Sequence, residues 1–316
     1  MLGEEVTRVA GSRLHLAALV GVLILLSAAP LAHADPAIPT LGGGPLWTDV
    51  AWRSGWRIQR NHLTGHYRLL DRHDARWAWG KETRCREALA RLAPEAQAQD
   101  HVVVLLHGLF RGPRSLAQLE RRLRAEGYAT VAMAYASRYG DLDAHAAALR
   151  ALLAELPAQR VTFVTHSLGG LVVRAALTRE DGRLMPQVDG VVMLFPPNQG
   201  AWLADKWEGN VVARWMVGPV LDDLTRARAR TLPIPAVPIA VVAGGRGNGI
   251  GRSWFVPGDD DGTVAVADTL LPDLASFHVL DAGHTFGMND QAVQLEVLQV
   301  LGEFAAARRK VNVSAP

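Results

Sequence analysis

The chain has 316 residues, 49% of them hydrophobic, and a formal net charge of +2, which suits one large α/β domain or two small ones. Basic and acidic residues are mixed along the chain, so no basic stretch favours nucleic-acid binding. The single cysteine, Cys85, excludes an internal disulfide and a cysteine-based zinc cluster, and its surroundings indicate a small apolar position on a helix.

The first residues follow the order of a secretory signal peptide. Arg8 and Arg13 form a basic flank, residues 16–29 are an unbroken apolar run, and residues 32–34 read Ala-His-Ala, an A-x-A cleavage pattern. The apolar run is short for a membrane-spanning helix. We therefore predict that residues 1–34 are a signal peptide and that the protein is exported, to the periplasm or out of the cell. An uncleaved segment that anchors the protein in the inner membrane is the alternative.

The segment of residues 35–99 is predicted to complete one edge of the sheet. Its proline- and glycine-rich start, residues 35–46, reads as a linker. Hydrophobic and polar residues then alternate with period two, as in strands with one buried face. The elements predicted here are an antiparallel hairpin built from residues 56–59, 66–70 and 75–79, and a helix over residues 82–92.

Strand and helix patterns alternate from residue 100 to residue 309, the predicted catalytic domain. The expected strands cover residues 101–106, 129–135, 161–164, 188–195, 238–243 and 276–280, and expected helices cover residues 113–126, 142–156 and 291–307. Continuous apolar strands that alternate with helices favour a mostly parallel sheet with helices on both faces.

Residues 161–173 combine a buried strand, a sharp turn and the start of a helix. The turn reads Thr165-His166-Ser167-Leu168-Gly169-Gly170, so the pattern G-x-S-x-G is met with threonine in place of the first glycine. Such a turn strains the serine backbone and exposes its hydroxyl above the sheet, as in the nucleophile elbow of α/β-hydrolases. An ordinary strand-to-helix junction with a chance serine is the alternative.

A serine nucleophile needs an imidazole to take its proton and a carboxylate to orient that imidazole. His284 follows the strand predicted at residues 276–280 and is the preferred base, whereas His278 lies inside that strand. The carboxylate is expected in the preceding loop, which contains three consecutive aspartates. Asp261 is preferred because it directly precedes a glycine turn, with Asp260 as its near rival.

The oxyanion hole requires two backbone amides. One is expected from Leu168, directly after the serine, and the other from Leu109 in the loop after an earlier strand. The side chains of His107 and His166 are predicted to orient these loops rather than to act as bases.

The aspartate run of residues 259–261 also fits a calcium site, because hard cations favour several carboxylate oxygens. No other cofactor is expected. An inserted cap is predicted at about residues 198–236, where tryptophans lie in two apolar patches. Those aromatics either contact an acyl chain or a lipid surface, or pack onto the main domain.

Four motifs in a fixed order carry a family resemblance: His107-Gly108-Leu109, the serine turn, Asp261-Gly262-Thr263-Val264 and His284-Thr285-Phe286. The segment Pro196-Pro197-Asn198-Gln199-Gly200 also resembles the one that follows the next strand in lipase-like proteins. Over about residues 100–305 the chain resembles bacterial secreted α/β-hydrolases of the lipase/esterase type. The resemblance implies a Ser167/Asp261/His284 triad that cleaves carboxylic esters, of lipids or small molecules, through an acyl-enzyme.

Several alternatives share these residues. A thioesterase, an amidase or an acyltransferase would use the same triad, and Thr165 at the serine turn leaves the substrate subtype open. A hydrolase-like binding protein without turnover belongs to a different class. The sequence does not fix the oligomeric state.

Overall fold

The computed structural model describes residues 38–39, 44–178 and 185–314. The predicted signal peptide, residues 1–34, lies outside them. Within the described ranges, no helix combines the length and the apolar composition needed to cross a bilayer.

The N-terminal part of the described chain forms an antiparallel sheet of its own, where the sequence predicts a single hairpin. Its strands, in the spatial order β1-β5-β4-β3-β2, are β1 (Ile38–Pro39), β2 (Trp47–Arg53), β3 (Trp56–Asn61), β4 (Tyr67–Leu70) and β5 (Ala75–Gly80). The sequence pattern does not reveal β2, because its buried face carries Asp49 between Trp47 and Ala51. A buried carboxylate interrupts the apolar alternation from which a strand is recognised.

Helix α1, Glu82–Leu92, covers this sheet and has the bounds that the sequence predicts. Cys85 and Leu89 of the helix pack with Ile58 and Leu69 in a small apolar cluster. The thiol of Cys85 is buried and free, and burial raises its pKa to about 11. Cys85 therefore acts as a small apolar residue on a helix face, as the sequence indicates.

The central sheet is parallel, as predicted, in the spatial order β11-β10-β9-β8-β6-β7. Its strands are β6 (Gln99–Leu106), β7 (Thr130–Met133), β8 (Ala158–His166), β9 (Gln187–Leu194), β10 (Ile239–Gly244) and β11 (Ser276–Leu280). Their burial on both faces explains the continuous apolar runs in the sequence.

The helices that follow α1 are α2 (Ala117–Ala125), α3 (Leu142–Glu155), α4 (Leu168–Leu177), α5 (Trp202–Lys206), α6 (Val211–Val217), α7 (Val220–Asp223), α8 (Arg226–Ala229) and α9 (Gln291–Ser314). One apolar cluster joins the sheet to α3 and α4, and a second joins it to α2 and α9. Helices therefore cover both faces of the sheet, as predicted.

Asp49 connects the N-terminal sheet to the edge of the central sheet. The Asp49 amide donates to the Ala134 carbonyl at 2.9 Å, and Asp49 Oδ2 accepts the Ala134 amide at 2.7 Å. Gln59 Nε2 donates to Asp49 Oδ1 at 2.7 Å. Strand β2 is thus hydrogen-bonded to the backbone that leaves β7.

The connection between β9 and β10 contains the four short helices α5 to α8, in the region where the sequence predicts a cap. Arg174 of α4 holds both ends of this insertion. Its guanidinium donates to the carbonyls of Asn198 at 2.9 Å, Leu232 at 2.5 Å and Pro233 at 3.4 Å. The helix that begins beside Ser167 therefore also fixes the insertion.

Candidate active site

Ser167 lies in the sharp turn between β8 and α4, with φ 52° and ψ −121°. This left-handed conformation is strained for a residue with a side chain. The turn is held by the Ser167 amide, which donates to the Leu194 carbonyl at 2.9 Å. A Cβ on Gly169 would lie 2.8 Å from the Leu106 carbonyl oxygen, so the helix start must be glycine to approach β6.

Thr165 occupies the position where the strict serine-turn pattern has glycine. Its side chain is buried beside β9, with Oγ1 3.5 Å from the Val192 carbonyl. A Cβ on Gly170 would be 3.4 Å from that hydroxyl oxygen, which is ordinary contact. Threonine is accommodated here, whereas Gly169 on the other side of the serine cannot be replaced without a shift of the backbone.

His284 and Asp261 converge on Ser167 from two loops beyond the carboxyl ends of the parallel strands. His284 Nε2 lies 3.0 Å from Ser167 Oγ, and His284 Nδ1 lies 2.7 Å from Asp261 Oδ2. Because a carboxylate only accepts hydrogen bonds, the proton of the neutral ring is on Nδ1 and Nε2 is free to accept from the serine hydroxyl. The His284 amide also donates to the Asp261 carbonyl at 2.8 Å, which ties the two loops together.

The second carboxylate oxygen of Asp261 is occupied by the backbone. Asp261 Oδ1 accepts the amides of Thr263 at 2.9 Å and Val264 at 2.8 Å, and the side chain is almost completely buried. These two hydrogen bonds fix the rotation of the carboxylate group, so Oδ2 points to the imidazole. The carboxylate is therefore oriented before any substrate arrives.

The rival carboxylate, Asp260, points away from His284. Asp260 Oδ1 accepts the amides of Ser253 at 3.0 Å and Gly262 at 2.6 Å, and Oδ2 accepts the amide of Arg252 at 3.1 Å. Asp260 is fully buried and organises its own loop. Of the two candidates, Asp261 is the one in contact with His284.

Asp259 also accepts hydrogen bonds from the backbone, namely the amides of Arg246 at 2.8 Å and Gly247 at 2.7 Å. Each aspartate of the run thus serves a different set of donors. Among the described residues, no group of three or more His, Cys, Asp or Glu side chains is arranged to hold a metal ion.

The two amides predicted for an oxyanion hole flank Ser167. Leu168 is the first residue of α4, and Leu109 follows Gly108 in the loop after β6. A Cβ on Gly108 would be 3.1 Å from Ser167 Cβ, so this loop passes directly beside the serine. Both residues therefore belong to segments that lie directly beside Ser167.

His107 anchors the loop that carries Leu109, and its side chain does not contact Ser167. Its ring stacks on Tyr135 with centroids 4.2 Å apart, and the Tyr135 hydroxyl donates to the His107 carbonyl at 2.5 Å. Burial lowers the pKa of His107 to about 4. His107 is therefore neutral and anchors the loop to the segment after β7, in agreement with the predicted orienting position.

His166, directly before the serine, is buried, and its Nε2 lies 2.9 Å from the His284 carbonyl oxygen. It therefore contacts the loop of the imidazole and not the serine hydroxyl. His278 lies in β11 with its Nε2 3.3 Å from Glu296, apart from these contacts. Of the histidines that the sequence analysis considers, only His284 reaches Ser167 Oγ.

Phe195 is a site residue that the sequence analysis does not single out. It directly follows β9 with φ 55°, and its ring centroid lies 6.0 Å from His166 and 6.3 Å from His284. A Cβ on Gly287 would collide with this ring at 2.5 Å. The sequence signal that could have identified Phe195 is its position. It follows β9, the strand next to β8, and therefore lies level with the serine turn.

Two exposed phenylalanines lie on loops next to the site, one of them beside an arginine. Phe110 and Phe286 are exposed, and the Arg111 guanidinium lies 5.3 Å from the Phe286 ring centroid. A cleft of about 570 Å³ borders Asp261 and His284. That cleft is lined by charged side chains, among them Arg252, Asp281 and Asp290, as well as by Phe286.

A parallel sheet that delivers a serine turn, an aspartate loop and a histidine loop to the carboxyl ends of its strands defines the α/β-hydrolase class. Residues 103–298 match the Alpha/beta hydrolase family, and the chain belongs to that family. A comparison with curated proteins finds no match.

Solved structures with the same fold include the mature lipase BlEst2 of Bacillus licheniformis. It aligns with a TM-score of 0.51 and 19% identity over 65% of this chain and 92% of that chain. The propeptide form aligns with a TM-score of 0.52 and 20% identity, over 65% of this chain and 50% of that chain. Phospholipase PlaB of Legionella pneumophila aligns with a TM-score of 0.43 and 20% identity, over 59% of this chain and 53% of that chain. At these identities the likeness is one of fold.

Proposed function

We propose that this protein is a serine hydrolase that cleaves carboxylic esters. The observation that carries the proposal is the continuous hydrogen-bond relay from Ser167 Oγ through His284 to Asp261, at 3.0 and 2.7 Å. A serine hydroxyl with such partners is an activated nucleophile, and acyl transfer is the reaction that this arrangement performs best.

In the proposed mechanism Ser167 attacks the ester carbonyl while His284 Nε2 takes its proton. The new imidazolium is stabilised by Asp261, whose carboxylate is already held in place. The amides of Leu109 and Leu168 donate to the developing oxyanion, and each such donor contributes roughly 3 kcal/mol. His284 then protonates the leaving alcohol, and water activated by His284 cleaves the acyl-enzyme.

The test compares the parent with Ser167→Ala on nitrophenyl esters of increasing acyl length. We expect turnover by the parent, labelling by a fluorophosphonate, and a loss of kcat of at least about 10³-fold in Ser167→Ala. A parent that neither turns over any ester nor accepts the label would contradict the proposal and favour the non-catalytic binding protein. A preference for thioesters over oxygen esters would instead favour the thioesterase.

We further propose that the substrate ester carries an apolar acyl chain and that the protein meets this substrate at a lipid surface. Helix α6 exposes four large apolar side chains to solvent, and such patches mark contact sites. They are Val211, Val212, Trp215 and Met216, exposed by 79%, 65%, 75% and 54%. Sedimentation with phosphatidylcholine vesicles tests this contact. Trp215→Ser should reduce vesicle binding. The control Leu295→Ser, at an exposed leucine of α9, should not. Equal binding by both variants would refute the proposed lipid contact.

Export is proposed from the N-terminal segment alone. We expect the mature chain to begin at Asp35, after the Ala-His-Ala pattern of residues 32–34. N-terminal sequencing of the protein made in a bacterial host checks this, and a start before residue 34 would support a retained anchor.

A further inference from the structure

His166 carries hydrogen-bonding groups that the proposed mechanism leaves unused. Its side chain is only 2% exposed, and its Nε2 lies 2.9 Å from the carbonyl oxygen of His284. A carbonyl oxygen only accepts, so His166 Nε2 is the donor and carries the proton. This hydrogen bond joins the residue before the nucleophile to the backbone of the residue that takes the nucleophile's proton.

The other ring nitrogen faces the oxyanion loop. Among the described residues, His166 Nδ1 is buried without a hydrogen-bond partner. A Cβ on Gly108 would lie 2.7 Å from that nitrogen, so the Gly108 backbone packs directly against the ring. One side of His166 therefore contacts the base loop and the other side contacts the loop that carries Leu109.

The surroundings keep His166 neutral. Burial, and then the nearby His284 ring and the Arg111 guanidinium, lower its pKa to about 3. The Phe195 ring lies beside the His166 ring on the side of β9, with the two ring centroids 6.0 Å apart. With Nε2 as the donor and a neutral ring, Nδ1 carries no proton, which explains why an unpaired nitrogen can lie against Gly108.

We propose that His166 is a positioning residue that sets the distance between the base loop and the oxyanion loop on either side of Ser167. The inference rests on the proposed function. Its physical basis is that a positioned base works only at hydrogen-bonding distance from the nucleophile, and a displacement of about 1 Å can lower the rate roughly 100-fold. The hydrogen bond to the His284 carbonyl fixes that loop, and the ring face against Gly108 fixes the other.

The experiment compares three variants with the parent. His166→Gln places an amide donor near the position of Nε2, His166→Asn places its amide too close to the backbone, and His166→Leu fills the volume without a donor. We expect kcat to fall about 10- to 100-fold in His166→Leu and His166→Asn, with KM within about twofold of the parent, and to recover to within about fivefold in His166→Gln. Equal kcat in all four proteins would overturn the proposal.

A loss confined to KM would also overturn it, because a spacing role acts on the chemical step. Urea unfolding of each variant separates loss of position from loss of folding. If His166→Gln loses as much kcat as His166→Leu at equal stability, the donor has no part in the effect and the proposal fails.

A spectroscopic measurement keeps the inference separate from the proposed function. Imidazole ¹⁵N shifts of the intact protein should show His166 neutral and protonated on Nε2 from pH 8 down to pH 5, and the signals of His284 should shift in His166→Leu. A proton on Nδ1, or unchanged His284 signals in that variant, would refute the role even in an active enzyme. An inactive parent with the expected shifts would contradict the ester-hydrolase proposal and leave the hydrogen bond established.

Discussion

Asp260 and Asp261 are chemically identical neighbours that differ in the donors that reach them. Asp260 accepts only backbone amides, from Arg252, Ser253 and Gly262, whereas Asp261 divides its oxygens between two amides and the ring of His284. A carboxylate that contacts the base affects the reaction, and one that holds a loop affects stability. Their substitutions should therefore separate activity from folding.

We predict that Asp261→Asn lowers kcat by about 10³- to 10⁴-fold, because an amide at this position no longer favours the His284 tautomer or stabilises its cation. Asp260→Asn should instead lower the free energy of unfolding by roughly 1–3 kcal/mol, since buried amides lose an acceptor. Steady-state kinetics and urea unfolding of both variants check the pair. A larger loss of kcat in Asp260→Asn than in Asp261→Asn would reverse the assignment.

At the same scale, sequence reasoning identifies Ser167, His284 and Asp261 from their residue types and their order after predicted strands. It does not identify Phe195, because an apolar residue at the end of a buried strand gives no local sign of a left-handed backbone. The Phe195 amide donates to the Val242 carbonyl of β10 at 2.8 Å, a contact with a distant segment that the local sequence does not show.

At the scale of elements, the insertion of helices α5 to α8 is fastened to α4 by one buried cation. Arg174 is 1% exposed, and burial lowers its pKa to about 10, so it stays charged. Its partners are carbonyl oxygens at the two ends of the insertion, near Asn198 and Leu232. The guanidinium reaches several acceptors at once because its donors form a fixed fork.

We predict that Arg174→Met lowers the free energy of unfolding by roughly 3 kcal/mol or more, because buried carbonyls lose their donors. Arg174→Lys should recover only part of this, since an ammonium cannot span both ends of the insertion. Urea unfolding of both variants gives the measurement. Parent-like stability in Arg174→Met would show that the insertion is held by its apolar contacts instead.

In the antiparallel sheet of strands β1 to β5, the period-two pattern of the sequence misses a strand that has a buried polar residue. The sequence predicts β3, β4 and β5 from their alternation but not β2, whose inward face includes Asp49. A buried aspartate is stable there because Arg57 Nε lies 3.8 Å from its Oδ1 and because Gln59 and the Ala134 amide donate to it. Those donors belong to other elements, so the local sequence carries no record of them.

At the scale of the whole molecule, three buried histidines lie either close to Ser167 or close to the segment after β7, to which the loop that carries Leu109 is anchored. Burial lowers the pKa of His107 and His145 to about 4 and that of His166 to about 3. In the unfolded chain a histidine has a pKa of about 6.5. Between these values the unfolded state binds more protons than the folded state, so stability falls as the pH falls.

We predict that the free energy of unfolding decreases from pH 7 to pH 5, with each of these histidines contributing up to about 1.4 kcal/mol per pH unit below pH 6.5. Asp49 and Asp223, whose pKa values burial raises, act in the opposite direction at lower pH. Urea unfolding at several pH values measures the slope. His145→Gln should flatten it by about one proton. A parent slope of zero would contradict the prediction.

Local patterns in the sequence predict the parallel sheet and the serine turn, but not the spatial order of the strands. The strands and helices depend on apolar runs and helix periodicity, which are properties of neighbouring residues, and the serine turn is recognised from its residue pattern. Chain order then limited the base to a late histidine and the acid to one loop of three aspartates.

Contacts between distant segments settle which aspartate faces His284, how β2 tolerates Asp49, and where the two nitrogens of His166 point. The physical reason is the same in each case. A polar side chain inside a protein is defined by the donors and acceptors that reach it, and here those groups come from segments distant in the chain.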